Sequence, residues 1–102
     1  MNKKDVVAVT SRSFSKNKTL VDELRKRYKK VILNTAGKTL TGDFLIDFLR
    51  DANKVIVGLE KLDSSALDKL PNLKVISKYG VGLNNIDLDQ INKRNIRLGF
   101  SP

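Results

Sequence analysis

Histidine, cysteine and tryptophan are all absent from the 102 residues, and there are only two prolines, one methionine and six glycines. Without cysteine there is no disulfide framework and no thiolate for catalysis or for holding a metal, a pattern that suits a reducing compartment. Without histidine, the side chain best suited to proton transfer near neutral pH is missing, so imidazole-dependent chemistry has to come from residues other than these. No apolar run approaches the roughly 18 residues of a membrane span. The run Val6–Val9 behind the basic start MNKKD is far too short for the core of a secretory leader. The expectation is a soluble, cytoplasmic protein with no membrane partner.

Acidic residues are scarce as well: 11 against 20 basic ones, a formal net charge of +9. The excess is uneven, with ten basic and three acidic residues in the first thirty. Such a cluster can mark a footprint for nucleic acid or for an anionic substrate. Here no nucleic-acid motif and no aromatic stacking platform accompanies it. Arg25, Arg27 and the lysines at 26, 29 and 30 instead read as the solvated end of a helix, where cations complement the macrodipole. No nucleic-acid partner is expected.

What the sequence does have is alternation. Apolar runs at 6–9 (VVAV), 31–33 (VIL), 55–58 (VIVG), 73–77 (LKVIS) and 96–100 (IRLGF) are separated by amphipathic stretches, which is the strand and helix alternation of a parallel sheet. The first three are continuous rather than alternating, as suits strands covered on both faces. A chain of this size buries about 60 to 70% of its unfolded surface, enough for one core.

Leu20, Leu24 and Tyr28 with Val21 form one helical stripe, capped by Asn17. A second helix follows Thr41, with Asp43 in its first turn and Phe44, Leu45, Phe48, Leu49 and Ala52 facing the sheet. Asp63 caps a third, with Leu62 and Leu67 at staple positions and Pro71 as the stop. Asp87 and Gln90 have capping-box spacing between Ile86 and Ile91, and Asn95 ends that fourth helix in the left-handed conformation. The order is β-α-β-α-β-α-β-α-β. Right-handed crossovers then give an α/β, flavodoxin-like three-layer sandwich, with a five-stranded parallel sheet of order 2-1-3-4-5 and helices on both faces.

Ligands in such a fold sit at the carboxyl ends of the strands, so four loops matter: TSRSFSKN, NTAGKTLT, GLEKLDSS and KYGVGLNN. The first is rich in hydroxyls beside Arg12, but it lacks the glycine of a phosphate loop, and Thr10-Ser11-Arg12 stands where a phospho-receiver needs an acidic pair. In the fourth, Gly80 and Gly82 begin a dinucleotide fingerprint whose third glycine would fall on Asn85. This is therefore no nucleotide loop. Two glycines do allow backbone N–H groups to approach an anion closely, or simply supply a turn with positive φ.

The stretch LPNLKVISKYGVGLNNIDLDQINKRNIRLGFSP resembles the D-isomer-specific 2-hydroxyacid dehydrogenases, the phosphoglycerate dehydrogenase group among them. Gly80-Val81-Gly82, Asn85-Ile86-Asp87 and Ser101-Pro102 carry the match, well over 70–102 and loosely over the whole chain. Asn84 departs from the family's usual Asp and Asn95 from its usual Gly. The resemblance implies that the N–H groups of Val81 and Gly82 hold a substrate carboxylate. It implies further substrate-side positions at Gly80, Tyr79 and Lys78 of the same loop, at Arg12 and Ser13 of the first loop, and at Lys61 beside Glu60 after the third strand.

It also implies that residues 1–102 are a single flavodoxin-like domain, the N-terminal part of a substrate-binding domain. The family's nucleotide-binding domain and its catalytic Arg, Glu and His lie beyond this stretch. On that expectation the chain alone carries no catalytic residue, no NAD, no metal and no turnover. The parent enzyme uses NAD and a small 2-hydroxy or 2-oxo acid, and an uncovered domain junction favours self-association. The rival reading is a stand-alone binding module for a small carboxylate or phosphate.

Overall fold

The computed structural model describes residues 6–35, 38–79 and 82–101. Five strands, β1 (Val6–Val9), β2 (Lys30–Leu33), β3 (Lys54–Val57), β4 (Val75–Tyr79) and β5 (Arg97–Ser101), pair in parallel in the order β2-β1-β3-β4-β5. The expected sheet is thus the observed one. Five helices connect them: α1 (Arg12–Lys16), α2 (Lys18–Arg27), α3 (Gly42–Leu49), α4 (Ser64–Asp68) and α5 (Leu88–Lys93).

Strand alternation sends Val7, Val9 and Ile56 to one face, where Phe14, Val21, Leu24 and Tyr28 of the α1–α2 side bury them. Ala8, Val55, Val57 and Ile76 face the other way, onto Leu45, Leu49, Leu67 and Ile91 of α3 to α5. Two helices on one face and three on the other follow from the order. Only the β1 to β2 connection steps leftward, and right-handed crossovers put the remaining connections on the opposite side.

Local signals placed the helix ends well. Asn17 Oδ1 accepts from Leu20 N at 3.1 Å, Asp63 Oδ1 from Ala66 N at 3.0 Å and Asp87 Oδ1 from Gln90 N at 3.2 Å. The box at α5 is only half made, because Asp87 N donates to Leu62 O at 3.0 Å while Gln90 Oε1 accepts from Arg94. Asn95 has φ 58°. Around it Ile96 N reaches Ile91 O at 2.9 Å and Asn95 N reaches Asn92 O at 3.2 Å, the paired bonds of a Schellman stop.

Three expectations need correction. The connection after β1 is not a bare loop: Ser11 Oγ accepts from Phe14 N at 3.2 Å and starts the short helix α1, whose Phe14 is buried. Phe44 does not face the sheet but is 74% exposed. The buried stripe of α3 runs through Leu45, Ile46 and Leu49, and Phe44 falls outside it, with the Lys38 ammonium 5.8 Å from its ring. Strand β4 ends at Tyr79 rather than at residue 77, because pairing with β5 continues through Lys78 and Phe100 to Tyr79 and Ser101.

The left-handed stop at Asn95 yields a stability test. Asn95→Ala should lower the unfolding free energy by about 1 kcal/mol, the cost of that conformation for a side chain without a local polar partner. Asn95→Gly should leave it unchanged or raise it. Urea denaturation reads both.

Candidate functional site

At the carboxyl ends of β1, β3 and β4 lies a crevice of about 320 Å3, bordered by Ser11, Arg12 and Ser13 after β1, by Thr39 after β2, by Gly58 to Glu60 after β3, and by Lys78 and Tyr79 at the end of β4. Its walls are made rigid by backbone bonding. Thr10 N donates to Ile56 O at 3.0 Å, and Asn34 Nδ2 donates to Thr10 O at 2.9 Å and Lys38 O at 3.0 Å, tying the loops after β1 and β2 together. Ser15 Oγ donates to Ser11 O at 2.8 Å and accepts from Asn34 N at 3.2 Å.

The loops after β3 and β4 are fastened more tightly still. Gly58 O accepts from Lys78 Nζ and, at 3.0 Å, from Asn85 Nδ2, which also donates to Glu60 O at 2.7 Å. Leu62 N donates to Asn85 O at 2.8 Å, extending the stitch. The Glu60 carboxylate turns back onto Gly58 N at 3.2 Å. Glu60 and Lys78 are both almost fully buried and lie on either side of one residue, Gly58, each held by a backbone partner. Gly58 is small for a spatial reason: a Cβ there would lie 3.2 Å from both Cα and Cβ of Ser11.

Of the residues expected at the substrate side, Arg12, Ser13, Lys78 and Tyr79 come together in this crevice. Lys78 and Tyr79 occupy the last two positions of β4 and point to opposite faces. Tyr79 meets Phe14 edge-on at 5.2 Å, on the α1–α2 face. Gly82 follows at φ 82°, and a Cβ there would meet Asn84 Oδ1 at 3.0 Å, the end of a flexible side chain. Glycine at 82 is therefore required by backbone conformation rather than by space. Gly80 and Val81 lie outside the described residues. Lys61 is not brought to the crevice; it lines a separate hollow with Leu40, Asp43 and Lys69. The residues that sequence reasoning missed are Asn85, Asn34 and Thr39. The Asn84-Asn85 pair was the available signal for the first, since an asparagine beside a glycine turn often bonds to backbone groups.

A family model described as D-isomer specific 2-hydroxyacid dehydrogenase, catalytic domain, matches residues 7–102. The chain belongs to that family. Among curated relatives, glyoxylate/hydroxypyruvate reductase B of Enterobacter sp. (strain 638) is 34% identical over 88 residues, which is 83% of this chain and 27% of that protein. Glyoxylate reductase of Thermofilum pendens is 39% identical over 59 residues, 57% of this chain and 17% of that protein. The chain thus spans about a quarter or less of the length of these curated dehydrogenase-family relatives.

Solved structures agree in fold. The NAD+-bound 3-phosphoglycerate dehydrogenase of Entamoeba histolytica superposes with a TM-score of 0.77 at 23% identity, covering 97% of this chain and 33% of that one. The D-lactate dehydrogenase of Aquifex aeolicus, solved with NAD and lactic acid, gives 0.68 at 24%, covering 96% and 28%. No group of three or more His, Cys, Asp or Glu side chains that could hold a metal ion occurs among the described residues, and none of their helices is long and apolar enough to cross a membrane.

The close approach at Gly58 can be tested directly. Gly58→Ala should cost about 1 to 3 kcal/mol, because the neighbour it strikes includes backbone, and should loosen the β3 and β4 loops together. Denaturant midpoints report the first effect, and amide exchange at Leu62 and Asp87 the second.

Proposed function

We propose that residues 1–102 form the substrate-binding part of an NAD-dependent D-2-hydroxyacid dehydrogenase of the phosphoglycerate dehydrogenase kind, and that the backbone N–H groups of Val81 and Gly82 hold the substrate carboxylate. Family membership supports the chemistry. The single observation that carries the site is Gly82, in the left-handed conformation three residues after the strand whose last two residues, Lys78 and Tyr79, line the crevice. A turn of this kind exposes consecutive N–H groups, and a carboxylate needs donors at close range that do not have to be reoriented when it arrives.

The same crevice does not fit a dinucleotide. A pyrophosphate cradle at the end of β1 needs a bare backbone turn, yet Thr10-Ser11-Arg12 stands there, with Ser11 Oγ engaged by Phe14 N and Gly58 packed against Ser11. We therefore assign NAD to residues other than these. With no histidine in the chain, the imidazole that would exchange the hydroxyl proton also has to come from elsewhere. On this reading residues 1–102 alone bind a small 2-hydroxy or 2-oxo acid weakly, bind no NAD, turn over nothing, and act in the cytoplasm. Leu59, 73% exposed at the crevice mouth, is then part of the surface that a further domain covers, or through which the isolated chain self-associates.

Amide spectra of the 15N-labelled chain test this. Titration with glyoxylate or hydroxypyruvate should move the Val81 and Gly82 peaks in fast exchange, and NADH should move nothing. Shifts that avoid the β4 loop would remove the carboxylate site, and micromolar NADH binding would remove the division of labour. Tight binding of the acid by the chain alone would favour a self-sufficient carboxylate module.

A further inference from the structure

We propose that the amino-terminal rim of the sheet, the end opposite the crevice, is a binding site for a small phosphate-bearing anion, seated between Lys74, Arg94 and Arg97. These three side chains border a hollow of about 440 Å3 floored by Leu73 and Val75. Neither Lys74 nor Arg97 has a side-chain hydrogen bond or ion pair among the described residues. Arg94 gives one Nη2 to Asp68 and Gln90, while its Nε is buried without a partner. A phosphate group accepts from several donors at once and suits a guanidinium edge in particular.

Ordinary reasons for surface cations account for only part of this. Arg94 caps the end of α5, where the macrodipole favours a positive charge. Lys74 and Arg97 stand at strand starts, where no such dipole acts, yet Lys74 O accepts from Arg97 N at 2.9 Å and so holds the two residues side by side. The pattern continues along the rim, because β2 and β3 also begin on lysines, Lys30 and Lys54. From β2 to β5 that row spans roughly 19 Å at the usual spacing of strands. At Lys54, burial and then the Arg27 guanidinium hold the ammonium below its usual value of 10.5. Like charges held together oppose folding, and a bound anion relieves that. The hollow is concave and has no aromatic platform, which favours a compact anion over a single-stranded polymer.

Calorimetric titration of the 102-residue chain with inorganic pyrophosphate at fixed ionic strength tests the site. Saturable one-to-one binding is expected, weakened about tenfold or more in Lys74→Gln/Arg97→Gln. The variant Lys16→Gln/Lys18→Gln, with the same loss of charge at the other end of the sheet, should bind as the unaltered chain does. In that unaltered chain the amide peaks of residues 74, 75 and 95–97 should move, a readout that does not depend on any variant folding. Equal weakening in both variants, or stabilisation that sodium chloride reproduces without saturation, would reduce the effect to general screening. Shifts confined to the carboxyl-end loops, or displacement of pyrophosphate by an oligonucleotide at equal phosphate concentration, would also overturn the proposal. Since the rim and the Val81–Gly82 loop lie at opposite ends of the strands, either can fail without the other.

Discussion

The carbonyl oxygen of Gly58 is the point on which the candidate site hangs. It receives Lys78 Nζ from the end of β4 and Asn85 Nδ2 from beyond the glycine turn. These two donors stand on either side of Gly82 in the sequence, and both bind the loop after β3. A backbone anion site needs this kind of support. Its donors belong to the main chain, and their direction is only as fixed as the loop that bears them. The cost is two buried charged groups, Glu60 and Lys78, and it is met by giving each a backbone partner on the same residue, Gly58. Gly58 must also be glycine, since Ser11 occupies the space of a side chain. One residue therefore sets the spacing of three loops.

That arrangement bears on how the net charge should be understood. On the proposed function, a basic protein that binds an acid invites the idea that its charge draws the ligand in. Yet in the crevice one of two neighbouring cations, Lys78, is tied to a carbonyl, and Glu60 sits beside it, so the local balance is modest. The excess lies elsewhere, at the ends of helices and the starts of strands. Carboxylate recognition by N–H groups needs no net charge, because the donors act at hydrogen-bond distance, whereas the long-range field of exposed lysines is largely screened beyond about 8 to 10 Å at ordinary salt.

The parts of this structure that could be read from the sequence are those fixed by neighbours in the chain. Caps at Asn17, Asp63 and Asp87 and the stop at Asn95 follow from one side chain meeting a backbone group a few residues away, and each is where the pattern put it. Strand order followed from alternation and handedness. What could not be read was set by partners distant in sequence. Tyr79 belongs to a strand because β5 extends the ladder to it, and Asn85 matters because of carbonyls more than twenty residues earlier. Helix α1 escaped notice since a single buried Phe14 among serines makes no periodic stripe. Phe44 was misplaced because consecutive apolar residues on α3 left the phase of the stripe undetermined until packing chose Leu45, Ile46 and Leu49.

The same distinction separates what membership of a family implies from what the residues themselves fix. A glycine with positive φ after a strand is compatible with an empty turn, and nothing in Gly82 itself names a ligand. What stands on either side of it is a buried lysine and an asparagine whose side chain satisfies two carbonyls, both bonded to the loop after β3, where a buried glutamate holds Gly58 N. Turns that merely reverse the chain sit at the surface and are satisfied by water. On the proposed function, the load on a turn braced in this way is the charge of an organic acid. The side chains that brace it lie within these residues, so the proposed grip on a carboxylate should exist before any second domain closes over it.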